Sequence, residues 1–517
     1  MKKYGFLASA AALALLTACG SEPDAATSGS ETEASAEASY LVEPDQVSAS
    51  ALQDAVSEER VRTFYENRDW QPAWTPDNVG SLVESLRGAG QHGLDPREFV
   101  TAIDEASEPT ARELALTTAA LDLADVLADG RADPAELFEV YTLERPEVDI
   151  VAGLSQAASE NSAGEWLEAL APSDAEYQAL SEAYMRFAER AASGQDSSIE
   201  SGDAIEQGDT DPRVGQIVAK LQDNGYLQDS ERENPDLYSE RIASAVAEMQ
   251  RDFGVKDDGI IGPDTLEILN TGAEERARLL AVNMERRRWY ARELPSTRVE
   301  VNIADATLKY MRDGELRDSR RVVVGQPDWE TPQLRSAMFR LVANPTWTVP
   351  KSIEREELAS KGPGYLDRNN MVRRDGYIVQ LPGPENALGE VKFDMQNDQA
   401  IYLHDTAAMQ LFERNQRHFS HGCVRVNDAL EFAQMLARDQ QVSSEYQQAR
   451  GSGEETFVEF DDNLPVRLVY HTAFADRSGN IRFRMDPYGW DEAVAEALGY
   501  EPRQVARVRT EISDIGP

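Results

Sequence analysis

Apolar residues recur at intervals of three and four through residues 51–190, which is the spacing of one face of an α-helix. Leu116, Ala120, Leu123 and Leu127 show this spacing most clearly. An apolar stripe with polar residues on the opposite face is typical of an amphipathic helix that packs on a core. We therefore expect a helical scaffold domain over residues 51–190.

A second helical unit follows a polar stretch. Residues 191–212 are rich in Ser, Gly and Asp, and their composition predicts a linker. Regularly spaced apolar side chains return over residues 213–272, where Asp257–Gly262 forms a glycine-containing turn. Pro263 follows this turn directly, at the position that proline favours at a helix start. The pattern predicts a compact helical unit over residues 213–272.

The hydrophobic period changes to two after residue 298. Val299, Val301 and Ile303 alternate with polar residues, as in a half-buried strand. Arg312–Glu315 contains an Asp-Gly pair, which is typical of a tight hairpin turn. We expect a mainly β domain over residues 298–440.

Two later segments complete this domain. Helical spacing returns over Asn427–Gln440. Residues 457–500 contain strand-like runs and then a last predicted helix over Asp491–Leu498. The order of helical and β segments predicts a multidomain α+β protein.

Charge excludes some classes of partner. The chain of 517 residues has 51 Lys and Arg residues against 93 Asp and Glu residues, a net charge of −42. Binding to nucleic acid requires an excess of cations to neutralise phosphates, so we expect no nucleic-acid partner. The balance also argues against attachment to a membrane through a polybasic surface.

The N-terminus has the pattern of an export signal. Two lysines precede an apolar run that ends in Leu16-Thr17-Ala18-Cys19, and this organisation predicts a signal peptide over residues 1–18. The last four residues resemble a bacterial lipobox, which implies that Cys19 becomes the lipid-bearing N-terminus. Residues 19–50 are polar and are expected to form a disordered tether. We expect a periplasmic protein anchored by lipid, with Gly20 favouring the outer membrane over the inner one, and no membrane-spanning helix.

The candidate chemistry is concentrated around the second of the two cysteines, Cys423. It ends the run Ser420-His421-Gly422-Cys423, and His404 lies upstream. A thiol needs a neighbouring base or cation to become a nucleophile at neutral pH. Gly422 permits a tight backbone whose amides could bind one oxygen, as an oxyanion hole does. These residues indicate acyl transfer through a thioester.

A metal site is the other chemistry that this cluster allows. His404, His421 and Cys423 include zinc-binding side chains. The chain has no His-Glu-x-x-His motif and no pair of cysteines beside Cys423. We therefore expect neither a metal nor another cofactor.

The arrangement resembles the L,D-transpeptidase catalytic domain of the YkuD type. The family pattern has a His, a gap, Ser/Thr-His-Gly-Cys, and a downstream Arg and Asn. Here 15 residues separate His404 from Ser420, and Arg425 and Asn427 follow Cys423. The resemblance runs over about residues 298–490.

Other parts of the chain extend the resemblance. Residues 213–272, with Gly225-Tyr226-Leu227 and Asp258-Gly259-Ile260-Ile261-Gly262, resemble a three-helix peptidoglycan-binding domain. Together with the helical region that contains Trp70-Gln71-Pro72-Ala73-Trp74, the whole chain is similar to the large periplasmic L,D-transpeptidases. A helical spacer that binds nothing remains the alternative for residues 213–272.

The resemblance implies roles for individual residues. Cys423 would be the nucleophile and His404 the general base, with the backbone carbonyl of Asp405 orienting the imidazole. The amides of His421, Gly422 and Cys423 would bind the oxyanion. The residues expected to bind substrate or to shape its site are Arg425, Asn427, Tyr402, Trp347, Asn344 and Ser420.

Residues 351–390 correspond to a capping insertion in the family. They carry several basic residues together with Gly and Pro. A lid at this position would exclude water, so that an amine resolves the thioester. A solvated loop is the alternative.

The resemblance implies an enzyme that forms 3→3 cross-links between peptidoglycan stem peptides, with a tetrapeptide donor and a diaminopimelate acceptor, and that carbapenems acylate. Two enzymatic alternatives use the same thioester: an L,D-carboxypeptidase, and an enzyme that attaches a protein to peptidoglycan. A wall-binding lipoprotein without catalysis is the third alternative.

Overall fold

The computed structural model describes residues 40, 44–194, 198–228, 234–476 and 478–502. The predicted signal peptide, Cys19 and most of the predicted tether over residues 19–50 lie outside these residues. Among the described helices, none combines the length and the apolar character needed to cross a bilayer.

The first part of the chain is helical, as predicted. Its core contains the residues whose spacing predicted helices, and Leu116, Leu123 and Leu127 are fully buried. The helices are α1 (Ala49–Ala55), α2 (Glu59–Glu66), α3 (Val79–Gly88), α4 (Arg97–Glu105), α5 (Pro109–Asp129), α6 (Pro134–Leu137), α7 (Ile150–Ser159), α8 (Ala163–Leu170) and α9 (Ala175–Ala192).

Three helices form the next unit: α10 (Val214–Asp223), α11 (Glu240–Asp252) and α12 (Pro263–Leu269). The segment predicted as a linker, residues 191–212, differs from that prediction in its described part. Ile199 and Ile205 are buried, and the backbone of Ile205 hydrogen-bonds that of Ile261 in both directions. These two apolar residues anchor a stretch whose overall composition is polar.

Helix α13 (Ala273–Arg288) joins the three-helix unit to the β region, and the hydrophobic pattern did not predict it. It is buried on most of its circumference, and its buried residues include Arg276, Glu285, Arg286 and Arg288. A helix whose buried positions carry charges shows no apolar stripe, which explains why periodicity missed it.

The β region is built on one large sheet. Its strands are β1 (Arg298–Asn302), β2 (Thr307–Arg312), β3 (Glu315–Gly325), β4 (Leu334–Ala343), β8 (Val391–Met395), β9 (Leu403–His404), β10 (His418–Ser420), β11 (Val424–Val426) and β12 (Thr456–Val469). They lie in the order β10-β3-β11-β9-β8-β4-β12-β1-β2. Since β2 also pairs with β3, the strands from β3 to β2 in this order close on themselves, and closure leaves few edges open.

Residues 351–390, called the cap below, share a small hydrophobic core with Trp347 and Val349, which precede them. The cap contains α14 (Lys351–Ile353), a π-helical turn at Glu354–Leu358 and α15 (Tyr365–Arg368). Strands β5 (Trp347–Thr348), β6 (Met371–Arg374) and β7 (Tyr377–Gln380) form a separate sheet in the order β5-β7-β6. The core residues are Trp347, Val349, Ile353, Leu358, Met371, Ile378 and Leu388.

The C-terminal segments complete the β region and tie it to α13. Helix α16 (Ala429–Asp439) corresponds to the helix predicted over Asn427–Gln440, and α17 (Ser443–Ser452) follows it. Strand β12 lies inside the sheet, between β4 and β1. A hairpin of β13 (Ala473–Ala475) and β14 (Ile481–Phe483) leads to α18 (Trp490–Ala497), which packs on α13.

Candidate active site

Two short parallel strands bring Cys423 and His404 to the same region. Leu403 of β9 pairs with Val424 of β11, and His404 pairs with Arg425. Leu403 and Val424 are fully buried in the sheet core. Because side chains alternate along a strand, His404, Cys423 and Arg425 lie on the opposite face from these two.

The orientation of the His404 ring determines which nitrogen is the base. Nδ1 lies 2.5 Å from the backbone carbonyl oxygen of Asp405. A carbonyl oxygen only accepts hydrogen bonds, so Nδ1 carries the hydrogen and Nε2 is a bare acceptor. Nε2 is buried and has no hydrogen-bond partner among the described residues. The expected contact with the Asp405 carbonyl is thus present.

Cations flank His404 on both neighbouring strands. Lys392 of β8 and Arg425 of β11 both pair with His404 in the sheet register. Burial lowers the pKa of His404 well below its usual range, and the charges of Arg425 and Lys392 lower it further. The imidazole is therefore neutral at pH 7 and able to accept a proton.

The Cys423 thiol is also neutral at rest. Burial raises its pKa to about 11, although hydrogen bonds with Tyr402 and the charges of Lys392 and Arg425 oppose this shift. Its Sγ lies 3.8 Å from the carbonyl oxygen of Ala400 and donates toward it. His404 Nε2 has no hydrogen-bond partner among the described residues. The thiol must therefore break its contact with the Ala400 carbonyl before it can donate to Nε2.

The turn before Cys423 is held by Ser420. The Ser420 hydroxyl donates to the carbonyl oxygen of Cys423 at 2.6 Å and accepts from the amide of Gly422 at 3.2 Å. Gly422 has φ +106°, a conformation that other residues rarely adopt. An oxyanion would compete with Ser420 for the Gly422 amide. The Ser420 side chain is fully buried and shapes the loop.

Three parts of the chain match models of known domain families. Residues 296–443 match the model of the YkuD L,D-transpeptidase catalytic domain. The chain carries an L,D-transpeptidase catalytic domain. Residues 59–184 match a scaffold domain, and residues 210–269 match a domain described as "Putative peptidoglycan binding domain". The matched ranges overlap the regions predicted over residues 51–190, 213–272 and 298–440.

One curated relative is a Haemophilus influenzae protein named "Putative L,D-transpeptidase". It is 32% identical over 218 residues, which are 38% of this chain and 44% of that protein. The alignment thus spans less than half of the relative.

Solved structures similar to part of this chain include two L,D-transpeptidases. An L,D-transpeptidase from Xylanimonas cellulosilytica is 16% identical, and the alignment covers 52% of this chain and 98% of that one, with a TM-score of 0.19. A catalytic domain from Enterococcus faecium L,D-transpeptidase, acylated by ertapenem, is 15% identical over 34% of this chain and 98% of that one, with a TM-score of 0.20. Scores of this size do not establish a shared overall fold.

Glu357 of the cap, which the sequence analysis did not single out, contacts the loop Ser420–Cys423, called the cysteine loop below. Nε2 of His421 lies 2.6 Å from Oε1 of Glu357, in the π-helical turn of the cap. The His421 ring also packs edge-on against Trp329, with 4.9 Å between the ring centroids. His421 lies two residues before Cys423, so this contact connects the cap to the cysteine loop.

Trp347 and Arg425 face a small cavity between the cap and the sheet. The cavity has a volume of about 130 Å³, and Thr406 also lines it. Both Trp347 and Arg425 are almost completely buried, and the indole N–H of Trp347 has no acceptor among the described residues. Tyr402 packs against the core of the cap. These residues thus lie in the wall between the thiol and the cap.

Two other predicted substrate residues make structural contacts elsewhere. The amide of Asn344 donates to the carbonyl oxygens of Ala449, Arg450 and Glu454, near the C-terminal end of α17. The side-chain amide of Asn427 donates to Asp428. Neither side chain is hydrogen-bonded to Cys423 or His404. Their expected role in substrate binding stays a prediction.

The sequence did not indicate Lys392 or Glu357 as site residues. Lys392 lies in an ordinary strand pattern, and only the β8–β9 register reveals that it is beside His404. Glu357 belongs to a run of acidic residues in the cap, Glu354, Glu356 and Glu357. Long-range pairing of this kind leaves no local signal in one sequence.

Proposed function

We propose that the protein is an L,D-transpeptidase that forms 3→3 cross-links between peptidoglycan stem peptides through a thioester on Cys423. The observation that carries this proposal is a neutral thiol directly before β11 and a bare, neutral imidazole nitrogen on the adjacent strand β9, in a domain that matches this family. A nucleophile and a base arranged in this way support acyl transfer.

In the first half-reaction, the Cys423 thiol attacks the carbonyl carbon of the third residue of a tetrapeptide stem, a diaminopimelate. His404 Nε2 takes the thiol proton as the sulfur–carbon bond forms. The carbonyl oxygen becomes an oxyanion, stabilised by amides of the cysteine loop. When the carbon–nitrogen bond breaks, His404 returns the proton to the departing amine of D-Ala, and a thioester remains.

In the second half-reaction, the side-chain amine of a diaminopimelate in another stem attacks the thioester carbon. His404 Nε2 accepts a proton from this amine. The sulfur–carbon bond breaks, Cys423 leaves as a thiolate, and the proton on His404 restores the thiol. The products are the 3→3 amide and the resting enzyme.

The cap is placed to decide which acceptor resolves the thioester. Its contact from Glu357 to His421 brings it against the cysteine loop. Limiting the access of water favours an amine over hydrolysis. A more open cap would favour the L,D-carboxypeptidase reaction, in which water is the acceptor, and a lysine amine of another protein would give protein attachment.

Product analysis tests the proposed function. The purified protein, incubated with disaccharide-tetrapeptide, is expected to produce 3→3 dimers and free D-Ala, detected by mass spectrometry. Cys423→Ala should abolish both products and retain binding to sacculi. Tripeptide monomers alone would identify the carboxypeptidase, and unchanged dimer formation by Cys423→Ala would refute the proposal.

We also propose that Cys19 carries a lipid and that the mature protein is periplasmic, at the outer membrane. The lipobox-like residues Leu16–Cys19 and the following Gly20 support this proposal. Stable anchoring requires more than one acyl chain. Cells grown with labelled fatty acid should label the wild-type protein and not Cys19→Ser. Equal labelling of the two proteins would contradict the anchor.

A further inference from the structure

A large cavity lies between the three-helix unit and the L,D-transpeptidase domain. Its volume is about 840 Å³, within the range of cavities that bind small molecules. One wall is the loop after α11, which includes Phe253 and Gly254, and another is the segment Glu413–Phe419 that leads into Ser420. The cavity therefore adjoins both the family's peptidoglycan-binding module and the strand that carries the cysteine loop.

Direct contacts hold the two walls together. The side-chain amide of Asn415 donates to the carbonyl oxygen of Val255 at 2.7 Å. Phe253 stacks on Phe483 with 6.4 Å between ring centroids. Arg482 forms an ion pair with Asp252. The cavity thus lies in a packed interface between the two units.

One exposed cation in the cavity wall, Arg414, lacks a carboxylate partner among the described residues. Buried Arg417 is not available in the same way, because its five N–H groups donate to the carbonyl oxygens of Val322, Arg414, Asn415, Asp305 and Ala306. Several other cations that line the cavity are paired, such as Arg251 with Asp257 and Arg484 with Asp305. Arg414 is therefore the cation of this wall that suits a ligand carboxylate.

A buried acceptor in the same wall also lacks a partner. Nε2 of His418 donates to the carbonyl oxygen of Ile303 at 2.9 Å, so Nδ1 has no hydrogen and can only accept. Nδ1 has no donor among the described residues, and His418 is 6% exposed. Leaving a buried acceptor unsatisfied is costly, and a ligand N–H or O–H would relieve that cost. Asp264, on the wall of the three-helix unit, offers a carboxylate to an ammonium group.

We infer that this cavity binds a peptidoglycan stem peptide outside the active site, with its carboxylate toward Arg414 and a peptide N–H toward His418. The inference rests on the proposed function for its ligand. A peptide matches all three features, since it supplies carboxylates, amide N–H groups and an amine. A stem held here would keep the peptidoglycan close to the strand that leads to Cys423.

A binding titration tests this site. The full protein is first acylated on Cys423 with ertapenem, which blocks the active site. A soluble disaccharide-tetrapeptide is then titrated by calorimetry into the wild type, Arg414→Glu and Arg317→Glu. Arg317 is an exposed arginine of β3 away from the cavity and serves as the matched control. A glucosamine oligosaccharide without carboxylates is titrated in parallel.

The expected result is a dissociation constant about tenfold higher for Arg414→Glu than for the other two proteins, and weaker binding of the peptide in high salt. Circular dichroism melting of each variant checks that it is folded. Equal peptide affinities of wild type and Arg414→Glu, or a charge effect seen with the oligosaccharide instead, would overturn the inference. Failure of ertapenem to acylate the wild type would instead count against the proposed function, and the titration of unmodified protein would still report on Arg414.

Discussion

The resting site holds two neutral groups. The raised pKa of Cys423 and the lowered pKa of His404 both follow mainly from burial. Burial disfavours the charged form of each group, so no thiolate–imidazolium pair exists before substrate binds. In the proposed reaction, the thiol proton therefore moves to His404 during the attack. The flanking cations Lys392 and Arg425 would then stabilise the negative charge that develops on sulfur and oxygen.

The neutral state of Cys423 and His404 predicts that the acylation rate depends little on pH between 7 and 9. Since the thiol pKa is about 11 and the imidazole pKa lies well below its usual range, neither group changes charge between pH 7 and 9. The rate of acylation by ertapenem should change by less than about twofold over this interval and fall only in acid, where His404 becomes protonated. Intact-mass kinetics in a series of buffers measure this rate. An increase of about tenfold per pH unit from 7 to 9 would show attack by a pre-ionised thiolate instead.

His404→Ala should lower the acylation rate by about 10²- to 10⁴-fold at pH 7, the usual contribution of a general base. His92, in the helical region, provides a matched control because it is a buried histidine far from Cys423 in the fold. His92→Ala should retain the rate as long as it folds. An unchanged rate in His404→Ala would remove this residue from the chemistry.

At the scale of elements, the site depends on strands that are too short to predict. The alternation of Val299, Val301 and Ile303 predicted β1, and the Asp313-Gly314 pair predicted the turn between β2 and β3; both are present. Strand β9 contains only Leu403 and His404, and two residues show no period. Its parallel pairing with β11 joins residues without a local turn. The nearness of His404 and Cys423 in the sequence indicated acyl transfer, and the resemblance to the family, not the hydrophobic pattern, assigned His404 as the base.

The cap contact gives a prediction at the same scale. Glu357→Ala removes the partner of His421 in the cap, so the cap should open more often. We expect amide hydrogen exchange in residues 351–390 to rise about tenfold, which corresponds to about 1.4 kcal/mol. The ratio of tripeptide to 3→3 dimer should also increase, because water gains access to the thioester.

Glu356 provides the control for this experiment. It neighbours Glu357 in the same π-helical turn but pairs with exposed Arg355. Glu356→Ala should leave exchange and product ratio close to those of the wild type. If Glu357→Ala also behaved in this way, the contact with His421 would have no part in closing the cap.

At the scale of the molecule, α13 connects the helical region with the β region. Arg288 forms a buried ion pair with Glu285 at 2.6 Å and donates to Tyr177 and to the carbonyl oxygen of His92 in the helical region. Arg286 forms a buried ion pair with Asp491 of α18. Periodicity could not predict this helix, because its buried face carries these charges.

Loss of the buried ion pair between Glu285 and Arg288 is predicted to have a large effect on stability. Glu285 accepts hydrogen bonds from Arg288, the indole of Trp289 and the amide of Ala132. Glu285→Ala would leave Arg288 charged and buried, and should lower the free energy of unfolding by about 3–5 kcal/mol. Denaturant unfolding measures this change. Glu496→Ala, at an exposed position of α18, should stay within about 0.5 kcal/mol of the wild type. Equal effects of the two substitutions would show that α13 does not depend on this pair.

The most direct test of the account is the intact mass of the full protein after incubation with purified disaccharide-tetrapeptide and no acceptor. The account predicts an adduct equal to the substrate minus D-Ala, located on Cys423 by peptide mapping and lost in Cys423→Ala. Absence of any adduct on the wild type, or an adduct that maps to another residue, would contradict it.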